Sequence, residues 1–274
     1  MSKKAPASGD ERIFKDDYYM TPATQRRHPR DVLTFGSRWS FYLTYFSVVF
    51  RLFLKARKDK MSYEYYTKVS YEILHGVETH RGKVELEGLD KVLASDQNFV
   101  LIGNHVSSLE AQTLAAILNT KTVAFVMKES LLTTPFFGHI MRNANPIPVG
   151  RKNPMDDLKS VMEKGSEYLA KGYSVIIFPQ GTRCPVFDPA EFNKLGVRLA
   201  LRAGVPCVPV ALKTDFWGRG KILKGFGPTC PEKTVHFAFG DPIVPHGKGK
   251  DAHEAVLSFI IEKLKLWGFP VKED

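Results

Sequence analysis

A histidine and a glutamate five positions apart, and two arginines that each follow a turn after an apolar run, are the residues of this chain best equipped for chemistry. The segment Gly103-Asn104-His105-Val106-Ser107-Ser108-Leu109-Glu110 begins where the apolar stretch Phe99-Val100-Leu101-Ile102 ends. If the chain turns back on itself there, the Glu110 carboxylate accepts a hydrogen bond from one ring nitrogen of His105. That contact fixes the tautomer and stabilises the imidazolium formed when the other nitrogen takes a proton. The acid has the same task in a serine-hydrolase triad, except that this base would act directly on a substrate hydroxyl. The plain reading is that Ser107 or Ser108 simply caps a helix and that the His–acid pair is coincidental.

A second cluster, Phe178-Pro179-Gln180-Gly181-Thr182-Arg183, again follows an apolar run. A glycine turn lets backbone N–H groups approach an anion, and arginine grips phosphate with two parallel hydrogen bonds. A third, Asn145-Pro146-Ile147-Pro148-Val149-Gly150-Arg151, is an extended stretch that delivers another arginine. Each of these alone reads as a surface turn with a solvated cation. Two such arginines, with Lys128 and Lys194, point to a pocket for an anionic substrate.

The intervening sequence alternates strand and helix. Asn98–Gly103, Thr122–Val126, Tyr173–Phe178, Val205–Leu212 and Thr234–Phe239 read as strands; Leu109–Asn119, Pro135–Arg142, Met155–Ala170, Asn193–Ala203 and Ala252–Trp267 read as helices. This order predicts an α/β fold with a single mixed, largely parallel sheet covered by helices. Ligands in such sheets sit at the strand ends, where the clusters fall. Residues 1–36 form a polar basic tail, residues 37–78 a two-helix segment that associates with a membrane, and residues 79–274 the catalytic domain.

The chain has 274 residues and a net charge of +10, of which +7 falls within residues 1–60. Hydrophobic content of 43% and charged content of 25% exclude a wholly disordered chain and a polytopic membrane protein. Only 12 uncharged residues separate Arg38 from Arg51, about 18 Å of helix against a hydrocarbon core of about 30 Å. Trp39, Tyr42 and Tyr45 are residues that favour the lipid–water interface, and Lys55, Arg57, Lys58 and Lys60 follow them. These features suit a helix lying in one leaflet of an anionic membrane, followed by a second helix over about Tyr63–Gly76. The bland alternative is a core helix with a solvated basic flank. The cations flank the apolar run and are not interleaved along one face, and no nucleic-acid motif appears, so nucleic acid is not an expected partner. The start of the chain has no apolar signal-peptide core. Cys184, Cys207 and Cys230 form neither a disulfide framework nor a C-x-x-C zinc pair, and no metal is expected. Gly218-x-Gly220, with Gly225 next, lacks dinucleotide spacing. His28, His139, His236, His246 and His253 read as structural or solvated.

The order of the clusters carries more than any one of them. Asn-His-x4-acid, Pro-Ile-x-x-x-Arg, Phe-Pro-x-Gly-Thr-Arg and finally Val205-Pro206-Cys207-Val208-Pro209-Val210 resembles the glycerolipid acyltransferase superfamily. The likeness is nearest to the bacterial lysophosphatidate acyltransferases and spans about residues 80–265. It implies that His105 is the general base, held by Glu110, and that the acceptor hydroxyl attacks the thioester of acyl-CoA or acyl carrier protein. Asn104, Lys128, Arg151, Gln180, Gly181, Thr182, Arg183 and Lys194 would bind substrate, with Arg151 and Arg183 on the acceptor phosphate. Pro209 would help form the donor side. No cofactor and no covalent intermediate are implied. The protein would sit, monotopic or peripheral, on the cytoplasmic face of the inner or plasma membrane. Two positions depart from the pattern: Glu110 stands where Asp is usual, and Gln180 where Glu is usual. They leave open another acceptor, such as glycerol-3-phosphate, another lysophospholipid or a glycolipid. A catalytically weak lipid-binding protein is the competing reading from a different class. Its discriminator is whether His105 and Glu110 meet in a cleft lined by Arg183.

Overall fold

The computed structural model describes residues 11–58, 60–220 and 225–273. The tail residues Lys3 and Lys4 lie outside the described residues. In chain order the elements are β1 (Tyr18–Met20), α1 (Pro29–Leu33), α2 (Arg38–Ala56), α3 (Tyr63–Thr79), β2 (Val84–Glu87), α4 (Asp90–Leu93) and β3 (Val100–Gly103). There follow α5 (Leu109–Ile117), β4 (Val123–Lys128), α6 (Phe137–Arg142), β5 (Pro146–Val149), α7 (Pro154–Ala170) and β6 (Ser174–Ile177). The chain closes with α8 (Leu195–Ala203), β7 (Cys207–Lys213), β8 (Val235–Phe239) and α9 (Lys250–Leu266). Every predicted strand and helix of residues 98–267 is present, with ends shifted by a few residues. Pro146–Val149, expected as an extended stretch, is a strand. Strands β1 and β2, which have no long apolar run of their own, were not predicted.

The sheet runs β1-β2-β8-β7-β3-β6-β4-β5. Its pairings are parallel except at β1–β2 and β7–β8, which is the mixed, largely parallel sheet expected. Side chains alternate across it. Phe99 and Leu101 enter one core with α2, α3 and α5, while Val100 and Ile102 enter the other with α7, α8 and α9. The chain leaves β3 towards β4 and β5, then returns through β6 and crosses to β7. That reversal makes the C-terminal ends of β7, β3 and β6 a switch point, the usual place for a ligand in an open α/β sheet.

Helix α2 is apolar all round. Phe41, Tyr42, Tyr45, Val48, Val49 and Leu52 are buried against the sheet domain. Tyr42 and Tyr45, expected at a lipid interface, are instead core residues. The Tyr45 hydroxyl donates to Gln112 Oε1 at 2.8 Å, and that of Tyr42 donates to the Gly227 carbonyl. These distant hydrogen-bond partners are what sequence reading could not see. The opposite face presents Trp39, Leu43, Phe46, Phe50 and Leu54 to the exterior, spaced so that they form one stripe along the helix. Arg51 pairs with Glu72 of α3. No helix among the described residues is long and apolar enough to cross a membrane.

Asn104, at the end of β3, is 1% exposed and extends the ladder where the backbone turns away. Its Nδ2 donates to the Leu212 carbonyl at 2.7 Å, and its Oδ1 accepts from the Leu212 N–H at 2.8 Å. Removing this side chain strands two buried backbone groups. Asn104→Ala should therefore cost about 2–3 kcal/mol in urea-induced unfolding; a loss under about 0.5 kcal/mol would show that water or another group replaces the amide.

Candidate active site

Because β7, β3, β6, β4 and β5 lie parallel, their C-terminal ends share one edge of the sheet. In lateral order that edge carries Thr214, His105, Gln180 to Arg183, Lys128 and Arg151.

Glu110 lies in the first turn of α5 and is completely buried. Its side chain folds back along the helix start. Oε1 accepts from the Val106 N–H at 2.8 Å and the Ser107 N–H at 2.9 Å. The Ser107 hydroxyl in turn accepts from the Leu109 N–H at 3.0 Å. The Glu110 carboxylate thus closes back on the Ser107 N–H, which places an acid at a helix N-terminus. Thr214, just beyond β7, adds its hydroxyl at 2.7 Å from Oε1. Nothing local marks Thr214, since it is 104 residues away in sequence. His105 Nδ1 stands 3.3 Å from Glu110 Oε2. The angle there falls short of a formed hydrogen bond, and such bonds often tighten only as the transition state is approached. Burial pushes the Glu110 carboxyl up, but the His105 contact, the Thr214 hydroxyl and the Ser107 N–H outweigh it. The net effect holds the pKa below the ordinary 4.5.

The loop after β6 fastens His105 from the other side. The ring stacks on Phe178 with centroids 4.5 Å apart and planes 7° from parallel. The His105 N–H donates to Gln180 Oε1 at 3.1 Å, and the His105 carbonyl accepts from the Cys184 N–H at 3.0 Å. Gln180 therefore holds the backbone of the histidine, and it does so with an oxygen acceptor that a glutamate would equally supply. Gly181 adopts φ +69° to make this turn, a conformation that suits glycine. Arg183 donates to the Ser108 hydroxyl. A cleft of about 480 Å³ opens here, lined by Ser107, Ser108, Thr182, Arg183, Trp217 and Arg219 among others.

The remaining predicted residues are more dispersed. Asn104 directs both polar atoms of its amide to the Leu212 backbone. Pro209 is buried within β7, level with Ile102, and its carbonyl accepts from the Gly240 N–H. Lys128 is exposed at the end of β4. Arg151 and Lys194 line a separate hollow. Burial lowers the Arg151 pKa, Asp157 opposes that, and the charge of Arg183 lowers it further, so the two guanidinium groups sense each other. Burial raises the pKa of the Cys184 thiol, which keeps it protonated and a poor nucleophile. His236 lies on Trp267, His253 near Phe192 and His28 on His80, each outside this constellation. Among the described residues no group of three His, Cys, Asp or Glu is placed to hold a metal ion.

The depressed pKa makes Glu110 a source of pH-dependent stability. Its contribution is complete above the unfolded value near 4.5 and is lost as pH falls through the lower native value. Chemical unfolding should therefore find Glu110→Gln less stable than the parent at pH 7, with the gap narrowing towards pH 3. An unchanged gap would mean that the carboxylate is not preferentially ionised in the native state.

The chain is similar to several known proteins. A family model described as Acyltransferase matches residues 83–213. A 1-acyl-sn-glycerol-3-phosphate acyltransferase of Pseudomonas aeruginosa is 31% identical over 171 residues, 62% of this chain and 63% of that one. The chloroplastic enzyme of the same name from Arabidopsis thaliana is 32% identical over 141 residues, 52% of this chain and 38% of that one. The chain thus spans less than two thirds of the length of these curated relatives. The crystal structure of a 1-acyl-sn-glycerophosphate acyltransferase from Thermotoga maritima shares the fold, with a TM-score of 0.57 and 21% identity, covering 89% of this chain and all of that one. The domain at residues 83–213, with its blocks in the order the sequence implied, belongs to the acyltransferase family.

Proposed function

We propose that the protein transfers a fatty acyl group from a thioester donor, acyl-CoA or acyl carrier protein, to the free hydroxyl of 1-acyl-sn-glycerol-3-phosphate, forming phosphatidate. The observation that carries this reading is the approach of His105 Nδ1 to the buried Glu110 carboxylate, 3.3 Å, beside a cleft walled by Arg183. With Nδ1 turned to Glu110, Nε2 takes the proton of the acceptor hydroxyl. The oxygen forms its new bond to the thioester carbonyl carbon, and the C–S bond breaks as the tetrahedral intermediate collapses. The departing thiolate recovers the proton from the imidazolium, leaving a free thiol and a neutral histidine. Glu110 stabilises the imidazolium between those steps and cannot swing away, because two backbone N–H groups and Thr214 hold it. Arg183 and Thr182 hold the acceptor phosphate, and Arg151 adds its charge from the neighbouring hollow. The names of the relatives support lysophosphatidate as acceptor, and the role of Gln180 in holding His105 gives no reason to choose another.

The same reading puts the protein on the cytoplasmic face of the inner or plasma membrane as a peripheral or monotopic enzyme. The outward stripe of α2 suits the acyl region of one leaflet. Leu33 and Phe35, 77% and 96% exposed in the turn before it, lead into that stripe. Arg38, Lys55, Arg57, Lys58 and Lys60 flank it and suit anionic headgroups. Lysophosphatidate would then enter from the leaflet with its phosphate towards the arginines.

Acyl transfer measured in mixed micelles with palmitoyl-CoA should show lysophosphatidate consumed in preference to glycerol-3-phosphate and other phosphate-headed lysolipids. His105→Ala should lower the rate by about 10²–10⁴, the usual worth of a general base; residual activity within about tenfold would remove His105 from that role. Because α2 also builds the core, the membrane contact is tested by surface changes. Leu43→Ser with Phe50→Ser should release the protein from anionic vesicles in sedimentation, and unchanged sedimentation would defeat the membrane assignment.

A further inference from the structure

The sheet edge that carries His105 also carries a second hollow, of about 590 Å³, between the loop after β5 and the starts of α7 and α8. Arg151, Lys152, Lys194 and Arg198 give it four cations, and Met155 and Leu158 give it an apolar wall. The carboxylate in this lining, Asp157, is already engaged: it accepts from the Gly150 N–H at 2.7 Å and from the Arg151 N–H at 3.0 Å. The lining therefore keeps an excess of cations, four against one carboxylate.

Two features of this wall complement a ligand that is both anionic and apolar. Lys194 and Arg198 stand four residues apart at the start of α8, whose first turn has no acid. Like charges at that spacing repel. Met155 is 69% exposed, a large apolar side chain left facing outward. A ligand bearing both phosphates and a flat apolar ring would relieve both. The volume lies within the usual range for small-molecule sites, about 300–1,000 Å³. A carrier protein would instead need a broad docking face, with roughly 1,200 Å² or more buried in total.

The hollow is close to the proposed chemistry. Gly196, in the first turn of α8, lies so tightly on the sheet that a Cβ there would meet Ile102 Cδ1 at 2.8 Å and Ile177 Cγ2 at 2.9 Å. Those isoleucines precede His105 and Gln180 by three residues each. Arg151 lines this hollow while sensing the charge of Arg183 in the neighbouring cleft.

We propose that this hollow binds the nucleotide end of an acyl-CoA donor. Lys152, Lys194 and Arg198 hold its phosphates, Met155 and Leu158 face the adenine ring, and the pantetheine arm runs past Arg151 to bring the thioester to His105. This rests on the acyl-transfer reading and specifies its donor.

Calorimetric titration of the full-length protein in detergent micelles tests it, with CoA, dephospho-CoA and pantetheine as probes. CoA should bind, dephospho-CoA about tenfold more weakly, and pantetheine not measurably. Arg198→Glu and Lys152→Glu should each weaken CoA binding by about tenfold or more, and the milder Arg198→Gln should move it in the same direction. Arg202→Glu, one turn further along α8 and outside the hollow, should stay within about twofold of the parent, which separates a site from general charge attraction. His105→Ala should bind CoA as the parent does. No binding of CoA, equal binding by the parent and both Glu variants, or binding of an acyl carrier protein in place of CoA would overturn the proposal. Binding with the expected pattern in a protein that acylates no lysophosphatidate would uphold this site and overturn the acceptor assignment instead.

Discussion

A carboxylate shut away from water has to be answered by its surroundings, and in this protein Glu110 sets that requirement. Burying an ionised carboxyl costs several kcal/mol unless donors and a counter-charge replace the lost hydration. The replacements come from separate parts of the chain: the Val106 and Ser107 N–H groups at the start of α5, the Thr214 hydroxyl after β7, and the His105 imidazole after β3. None of them can move far without stranding the charge. His105 is thus held by the same interactions that join α5 to two neighbouring strands.

The parallel sheet makes that convergence possible. Strands β7, β3 and β6 end at the same edge, so three loops distant in sequence leave the sheet side by side. Asn104 closes the β3–β7 side through Leu212, and Gln180 closes the β3–β6 side through the His105 backbone. Phe178 then sets the plane of the imidazole. Positioning here is mostly the work of backbone-directed hydrogen bonds, which explains how Gln180 can stand in a place where the related sequences usually have an acid. An oxygen that accepts one N–H bond is what the geometry asks of that position. The longer Glu110 reaches back to the Val106 and Ser107 N–H groups with one oxygen while keeping the other beside the ring.

Helix α2 shows how one segment serves two environments. Its inner face, through Phe41, Tyr42 and Tyr45, interlocks with Trp217, Phe216 and Phe226 in a dense set of ring contacts. Its outer face remains apolar and bare. An amphipathic helix with a polar outer face would cover the domain equally well, so the exposed stripe is a feature that fold stability alone does not explain. Since α2 shares its core with the sheet, whatever that stripe touches is held at a fixed height relative to His105.

Much of this protein follows from local sequence. Apolar runs bounded by turns gave the strands from residue 98 onward, helical spacing gave α5, α7, α8 and α9, and the ordered blocks named the family, because periodicity and turn chemistry act over a few residues. The helix start at Ser107-Ser108 was legible too. Tertiary structure decided the rest. It placed Thr214 on the carboxylate from 104 residues away. It directed the Asn104 amide onto the Leu212 backbone and set Pro209 within β7 between Ile102 and Gly240. It buried Tyr42 and Tyr45, which sequence alone could not distinguish from interfacial aromatics, because only a packed partner decides which face of an all-apolar helix is covered. It also separated the basic residues into an Arg183 cleft and an Arg151–Lys194 hollow, since strand order, not chain order, sets which loop ends are neighbours.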